Sequence, residues 1–318
     1  MISYAQNQED VVLGRLLQII PNGRFVDVGA AHPVEHNVTY WLYLNGWRGV
    51  NVEPMSREAE MLRETRPDDV TLQVAVSDAP GTMTLFEAPL DNRGATTSDP
   101  ELVDRYAAGG QQFVPFEVAV VTLDDILGRF EPGGVHILKI DIEGGEAAAI
   151  AAAQLDRHRP WVLVIEATQP NSTVDTSDVW EPDVLAAGYT CVLFDGLNRF
   201  YVRAERPDLA ALLSTPANVF DDWKPWRLVE LENELVRVVQ NATAHAAVMD
   251  ERFCAVESYA RGLEASREPI EEYVRSLIER ADGAERYALA LRVQVDELET
   301  YTRTLQVALQ PQADDAPS

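Results

Sequence analysis

A chain of 318 residues with 26 Lys and Arg against 52 Asp and Glu carries a formal net charge of −26. That surplus repels nucleic acid and anionic membranes, which excludes non-specific binding to either as a function. With 46% hydrophobic residues the chain is long enough for one sizeable core and a second, smaller piece.

The first apolar run, RFVDV (24–28), reads as a strand, and GVNVE (49–53), LQVAV (72–76), HILKID (136–141), WVLVIE (161–166) and YTCVLF (189–194) repeat the pattern. Most of these runs are continuously apolar, as expected of strands covered on both faces. Helical patterns fall between them at 34–45, 56–65, 143–154 and 179–187. Such alternation predicts an α/β domain with a mainly parallel sheet. GTMTLFEA (81–88) and FEVAVVTLDDIL (116–127) predict an inserted hairpin arm, and the loop 89–112 between them suits a lid. RFYVR (199–203) predicts a last, antiparallel strand, so that the first domain covers 1–222.

Beyond NVFDDWKPW the texture changes. From Leu228 to Leu305 an apolar residue recurs at every seventh position, and a partner position three residues later carries Leu231, Val238, Tyr259, Tyr273, Tyr287 and Tyr301. This heptad predicts a long helical, coiled-coil-like segment over 223–310 that oligomerises or docks a partner protein. Pro269 either kinks one continuous helix or starts a second that folds back; self-association is the expectation. Residues 311–318 read as a disordered tail. Cys191 and Cys254 fit neither a disulfide framework nor a zinc spacing, no signal-like segment opens the sequence, and no apolar run approaches the ~18 residues of a membrane span. A cytoplasmic location is expected.

The loop after the first strand decides the ligand class. A dinucleotide fold needs G-x-G-x-x-G to bring backbone against a pyrophosphate, but here Gly29 is followed by Ala30, Ala31, His32 and Pro33. Asp27 disfavours an anion and favours a cation. S-adenosylmethionine, with an ammonium and a sulfonium centre and no phosphate, fits that loop. Glu53 at the second strand's end suits the ribose hydroxyls, and Asp78 after the third strand suits the adenine amino group.

The segments SYAQNQEDVVLGRLL, GRFVDVGAAHPVEHNVTYWLYLNGWRGVNVEP, LQVAVSD, VTLDDIL, ILKIDIEGGE and FDGLNRFYV together resemble the FkbM family of S-adenosylmethionine-dependent methyltransferases over roughly residues 2 to 222. The resemblance implies a class I methyltransferase (Rossmann-like) fold and O-methylation of a hydroxyl on a sugar, glycan or natural product. Asp27, Gly29, Glu53, Asp78 and Asp141 fall on its motif positions. One departure is Ala31-His32, where relatives often carry a polar residue after Gly-Ala. The heptad segment lies outside the resemblance.

Methyl transfer to a hydroxyl is an in-line displacement that requires positioning and removal of a proton. His32 is a candidate base, and Asp141 and Glu166 are alternative catalytic groups at adjacent strand ends. With Glu143, these two carboxylates would supply oxygen ligands for Mg²⁺. His36, Asp195, Asn198 and Arg199 are candidates for binding the acceptor. Two further readings compete: an NAD-linked oxidoreductase, disfavoured by the missing glycines, and a non-catalytic assembly protein built on the coiled coil.

Overall fold

A computed structural model of the chain describes residues 1–89, 96–169, 172–263 and 270–308. It divides into two compact units, one built on Ser3–Trp223 and the other on Lys224–Ser318. Pro269 and the tail 311–318 lie outside the described residues.

The first unit is an α/β fold around a seven-stranded sheet. Its strands are β1 (Arg24–Val28), β2 (Arg48–Val52), β3 (Val70–Leu72), β4 (Ile137–Ile140), β5 (Val162–Glu166), β6 (Tyr189–Phe194) and β7 (Asn198–Arg203). They lie in the order β6-β7-β5-β4-β1-β2-β3. Strands β1 to β5 pair in parallel, and β7 runs antiparallel between β5 and β6. This is the Rossmann-like, mostly parallel sheet with an antiparallel last strand that the alternating pattern predicts.

Successive strand residues face opposite layers, which is why the strand sequences are apolar throughout. Val26, Val28, Leu138, Ile140, Leu163 and Ile165 enter one core with Leu123, Ile126, Ile150 and Trp180. Phe25, Ile137, Val162, Val164 and Phe200 enter the other with Leu13, Leu16, Leu42 and Trp47.

Four expectations need correction. LQVAV is not one strand: its first residues end β3, whereas Ala75–Val76 pairs in parallel with Val120 and Val121 in a separate three-stranded sheet. The predicted arm itself forms there, Gly81–Glu87 pairing antiparallel with Val114–Val121. The helix expected over 34–45 is confined to Tyr40–Leu44, because Ala31 and His36 take positive φ of 50° and 57° and Asn37 accepts from the backbone N–H of Thr39. The helix expected over 143–154 runs only from Glu146 to Ala151, because Glu143 and Gly144 have φ of 53° and 100°. Within the loop 89–112, Pro100–Ala108 is a helix whose first turn is capped by the Asp99 carboxylate; residues 90–95 lie outside the described residues.

The second unit contains two long helices, Trp226–Leu263 and Ile270–Ala308, of 38 and 39 residues. His245 and Tyr287 meet edge-on at 5.5 Å. These residues stand nearly equally far from the inner helix ends, so the helices run antiparallel. The heptad segment thus folds back on itself, one of the two arrangements that the sequence leaves open.

Candidate functional site

The chain order reverses between β1 and β4, and at such a switch point the loops from adjacent strands part to open a crevice at the carboxyl edge of the sheet. Gly29 leaves β1 with φ of 77°. A β-carbon there would stand 1.8 Å from the backbone oxygen of Asp141, so only glycine lets the loops after β1 and β4 cross. The Gly29 and Ala30 amides donate to the carbonyl of Val52 at 3.0 and 3.1 Å, which fixes the loop to the end of β2.

Asp27 does not present its carboxylate at the surface. It is 1% exposed, accepts from the Thr39 hydroxyl at 2.7 Å, and lies 3.4 Å from Lys139 Nζ. Lys139 also donates to the Gly29 carbonyl at 2.8 Å and pairs with Asp141 at 3.3 Å. These carboxylates raise the lysine's pKa, which burial alone would lower. Lys139 therefore joins the two crossing loops from beneath. Behind Thr39 lies a second cation: Arg66, fully buried, donates to the Thr39 hydroxyl and to Asn37 Oδ1, each at 3.0 Å, and pairs with Asp69. Asn37 in turn donates to the carbonyls of Ala30 and His32. The irregular segment 30–39 is held by this network rather than by helical hydrogen bonds.

Glu53, buried, accepts from the amides of Ala31 at 2.9 Å and Met55 at 2.8 Å, and burial pushes its pKa up to about 7. Its lone pairs leave room for ribose hydroxyls as additional donors. Asp78 is exposed, next to the Ser77 hydroxyl. It follows the separate short strand rather than β3, so it is one sheet removed from Glu53.

Asp141, Glu143 and Glu166 converge as the sequence suggests. Glu166 is 8% exposed and lies beside Asp141, while one oxygen each of Glu166 and Glu143 is buried without a partner. Burial, reinforced by the neighbouring charge of Asp141, raises the pKa of both. The crevice thus holds protonated carboxyls beside one ionic pair, Lys139–Asp141. Among the described residues no group of three or more His, Cys, Asp or Glu is placed to hold a metal ion, so the expected Mg²⁺ site on Asp141, Glu143 and Glu166 gains no support.

His32 Nδ1 accepts from the amides of Val34 and Glu35 at 3.2 and 2.8 Å, which places the proton of the neutral ring on Nε2. His36 is exposed and its backbone bridges to Ala5. Asn198 is committed to Glu9, donating at 2.7 Å, and lies opposite Glu166 in the sheet register. Arg199 is committed to Asp175 and Glu181. Asp195 accepts from the amides of Leu197 and Asn198, with its other oxygen buried and unpartnered. Of the four expected acceptor contacts, Asn198 and Arg199 therefore serve the fold first. Sequence reasoning missed Lys139, Thr39 and Arg66. The signal for Lys139 was a lone cation inside the apolar run HILKID, since a buried lysine requires a partner.

Buried carboxyls make stability pH-dependent. Glu9, Asp10 and Glu53 are pushed up to about 7, 6 and 7, chiefly by burial. A raised folded pKa contributes stability that is complete below the unfolded values of about 4 to 4.5, is lost as pH rises from there through the folded values of about 6 to 7, and changes no further above them. The thermal midpoint measured by calorimetry is expected to fall between pH 5 and pH 9, by roughly 5 °C or more. A midpoint rising over that range would show these carboxyls to be ionised at no cost.

Comparison with known proteins completes the description. The pattern of the methyltransferase FkbM domain matches residues 27–191. A crystal structure of a TehB-like S-adenosylmethionine-dependent methyltransferase from Corynebacterium glutamicum is similar at 9% identity and a TM-score of 0.34, over 61% of this chain and 86% of that one; so slight a likeness carries no argument. No curated protein matches the chain.

Proposed function

The chain belongs to the FkbM methyltransferase family, and from that premise we propose that it transfers a methyl group from S-adenosylmethionine to a hydroxyl of a sugar, glycan or natural product. The observation that carries the cofactor reading is the single-glycine crossing at Gly29, flanked by Glu53 and Asp141 and without the glycines a pyrophosphate needs. The residues fit the cofactor's chemistry: Glu53 holds spare acceptor capacity for ribose hydroxyls, and the orphaned oxygens of Glu143 and Glu166 suit a ligand that brings donors rather than phosphates.

The cofactor supplies an electrophilic methyl group on a sulfonium centre. The chain's own residues then have three tasks. Asp141, paired with Lys139 and with its side chain 36% exposed, is available to accept a hydrogen bond from an incoming hydroxyl, to set it in line and to take its proton as the methyl group transfers. Glu166, held beside Asp141 with its pKa raised, retains its proton and so adds no second negative charge at the reacting oxygen. His32 Nε2–H is a donor beside the cofactor loop. The helical tail serves oligomerisation or partner docking, and the free thiols Cys191 and Cys254 accord with a cytoplasmic setting.

The test is calorimetric titration of the full chain with S-adenosylhomocysteine and, separately, with NAD. Micromolar affinity for the first and none for the second is expected. Binding of NAD alone would overturn the reading.

A further inference from the structure

Three buried oxygen atoms on the far side of β4 from the cofactor loop have no hydrogen-bond partner. Gly29 and Glu53, at the ends of β1 and β2, flank the cofactor. The strand order then leaves the end of β5 and the turn from β6 to β7 for the acceptor, which meets the methyl group above β4. Glu166 ends β5, is 8% exposed, and has an unpartnered Oε2. The chain stays extended beyond it, with the Ala167 amide bonded to the Leu197 carbonyl and Thr168 bridged to Asp175. Thr168, 5% exposed, therefore faces the same layer as Glu166, and its hydroxyl is also unpartnered. Asp195, in the turn, commits Oδ1 to the amides of Leu197 and Asn198 and leaves Oδ2 buried with none.

The fold itself draws a donor away from this place. Asn198 lies directly opposite Glu166 in the sheet register, where paired β-carbons stand about 5 Å apart. Its amide turns instead to Glu9, donating at 2.7 Å. Glu9 is fixed in turn by the Asn7 amide at 2.9 Å, and the Asn7 side chain ties the segment to the Asp195 carbonyl at 3.2 Å. Lys139, the cation on this face, is already engaged by Asp27, Asp141 and the Gly29 carbonyl. Buried polar atoms are normally paired, so three that are not, on one side of a crevice, require an explanation.

We propose that Glu166 Oε2, Thr168 Oγ1 and Asp195 Oδ2 form an acceptor subsite that takes neighbouring hydroxyls as hydrogen-bond donors and rejects phosphate and carboxylate groups. This rests on the methyl-transfer reading above and narrows the acceptor to a polyol that is uncharged where it meets β5. A hydroxyl brings the donor that each of these oxygens lacks, and it loses little on leaving water once bonded. A phosphate or carboxylate brings acceptors to acceptors. It would also stand beside Asp141 with no cation left to offset it.

Saturation-transfer NMR of the full chain, loaded with S-adenosylhomocysteine and titrated with glycerol, glycerol 3-phosphate and glycerate, tests the subsite. Glycerol presents neighbouring hydroxyls on a minimal skeleton, and the other two each carry an anionic group on the same skeleton. Glycerol is expected to bind in the millimolar range and both anions roughly tenfold more weakly. Thr168→Val should weaken glycerol binding about fivefold, the worth of one hydrogen bond. The same variant should keep or raise the thermal midpoint, because the hydroxyl it removes is buried and unpaired in the free protein. If that variant does not fold, Asp195→Asn serves instead: it replaces an acceptor by a donor and should narrow the preference for glycerol over glycerate. Anions that bind as tightly as glycerol, no contact with glycerol, or a lower midpoint in Thr168→Val with glycerol binding unchanged would each overturn the proposal. Affinity for S-adenosylhomocysteine is measured on the same samples, so a failed subsite with normal cofactor affinity would leave the methyltransferase reading in place.

Discussion

Gly29→Ala is expected to eliminate S-adenosylhomocysteine binding and to destabilise the first unit by about 3 kcal/mol or more. The added methyl group would lie 1.8 Å from the Asp141 carbonyl oxygen, and the obstacle is backbone, which cannot swing aside as a flexible side-chain end would. Relief requires the loops after β1 and β4 to part. Parting them breaks the Lys139 hydrogen bond to the Gly29 carbonyl and the Gly29 and Ala30 bonds to Val52 together. The crevice floor and the stability should therefore fail in one step. Calorimetric titration alongside thermal denaturation checks it, and wild-type affinity in the variant would mean that the ligand does not use this crossing.

Lys139→Met should cost roughly 3–5 kcal/mol, the usual penalty for removing one partner of a buried pair and leaving the other charged. The Asp27 side chain, 1% exposed, carries most of that cost; Asp141, a third exposed, is screened by water and contributes less. Adding Asp27→Asn to the lysine variant should recover more than half of the loss, because the orphaned charge is then gone. Denaturant titration of the two single variants and the double variant measures the coupling. Purely additive losses would show that Lys139 and Asp27 do not act as a pair.

Much of this architecture is legible in the residues. The runs at 24–28 and 189–194 delimit β1 and β6 without adjustment. The acids after β4 and at the end of β5 come to one edge of the sheet, because adjacent parallel strands carry their carboxyl ends to the same side. Local reading fails where a side chain replaces backbone hydrogen bonding. Helical periodicity continues through 34–39, but Asn37, Thr39 and Arg66 satisfy that segment's polar groups in a different conformation, and Arg66 lies 27 residues away from Thr39. Likewise Asn198 and Arg199 look like ligand-binding residues of a turn, and only the fold reveals Glu9 and Asp175 as their partners. The heptad announces helices but does not encode whether they meet their own chain or another.

The partnership of β1 with β4 has a consequence in time. Lys139 meets the Gly29 carbonyl across 110 residues of chain, and β1 pairs with nothing nearer on that side. During synthesis, at about 5–20 residues per second, strand β1 and its Asp27 wait several seconds for the cation that completes them. Until β4 emerges, one flank of β1 is an open strand edge beside a buried acid without its counter-ion. Closing so distant a pairing is slow in itself, since loop entropy is lost before the contact is gained. The nascent chain is thus most exposed to aggregation in this interval, and a ribosome stalled shortly before codon 139 would hold the protein in that state.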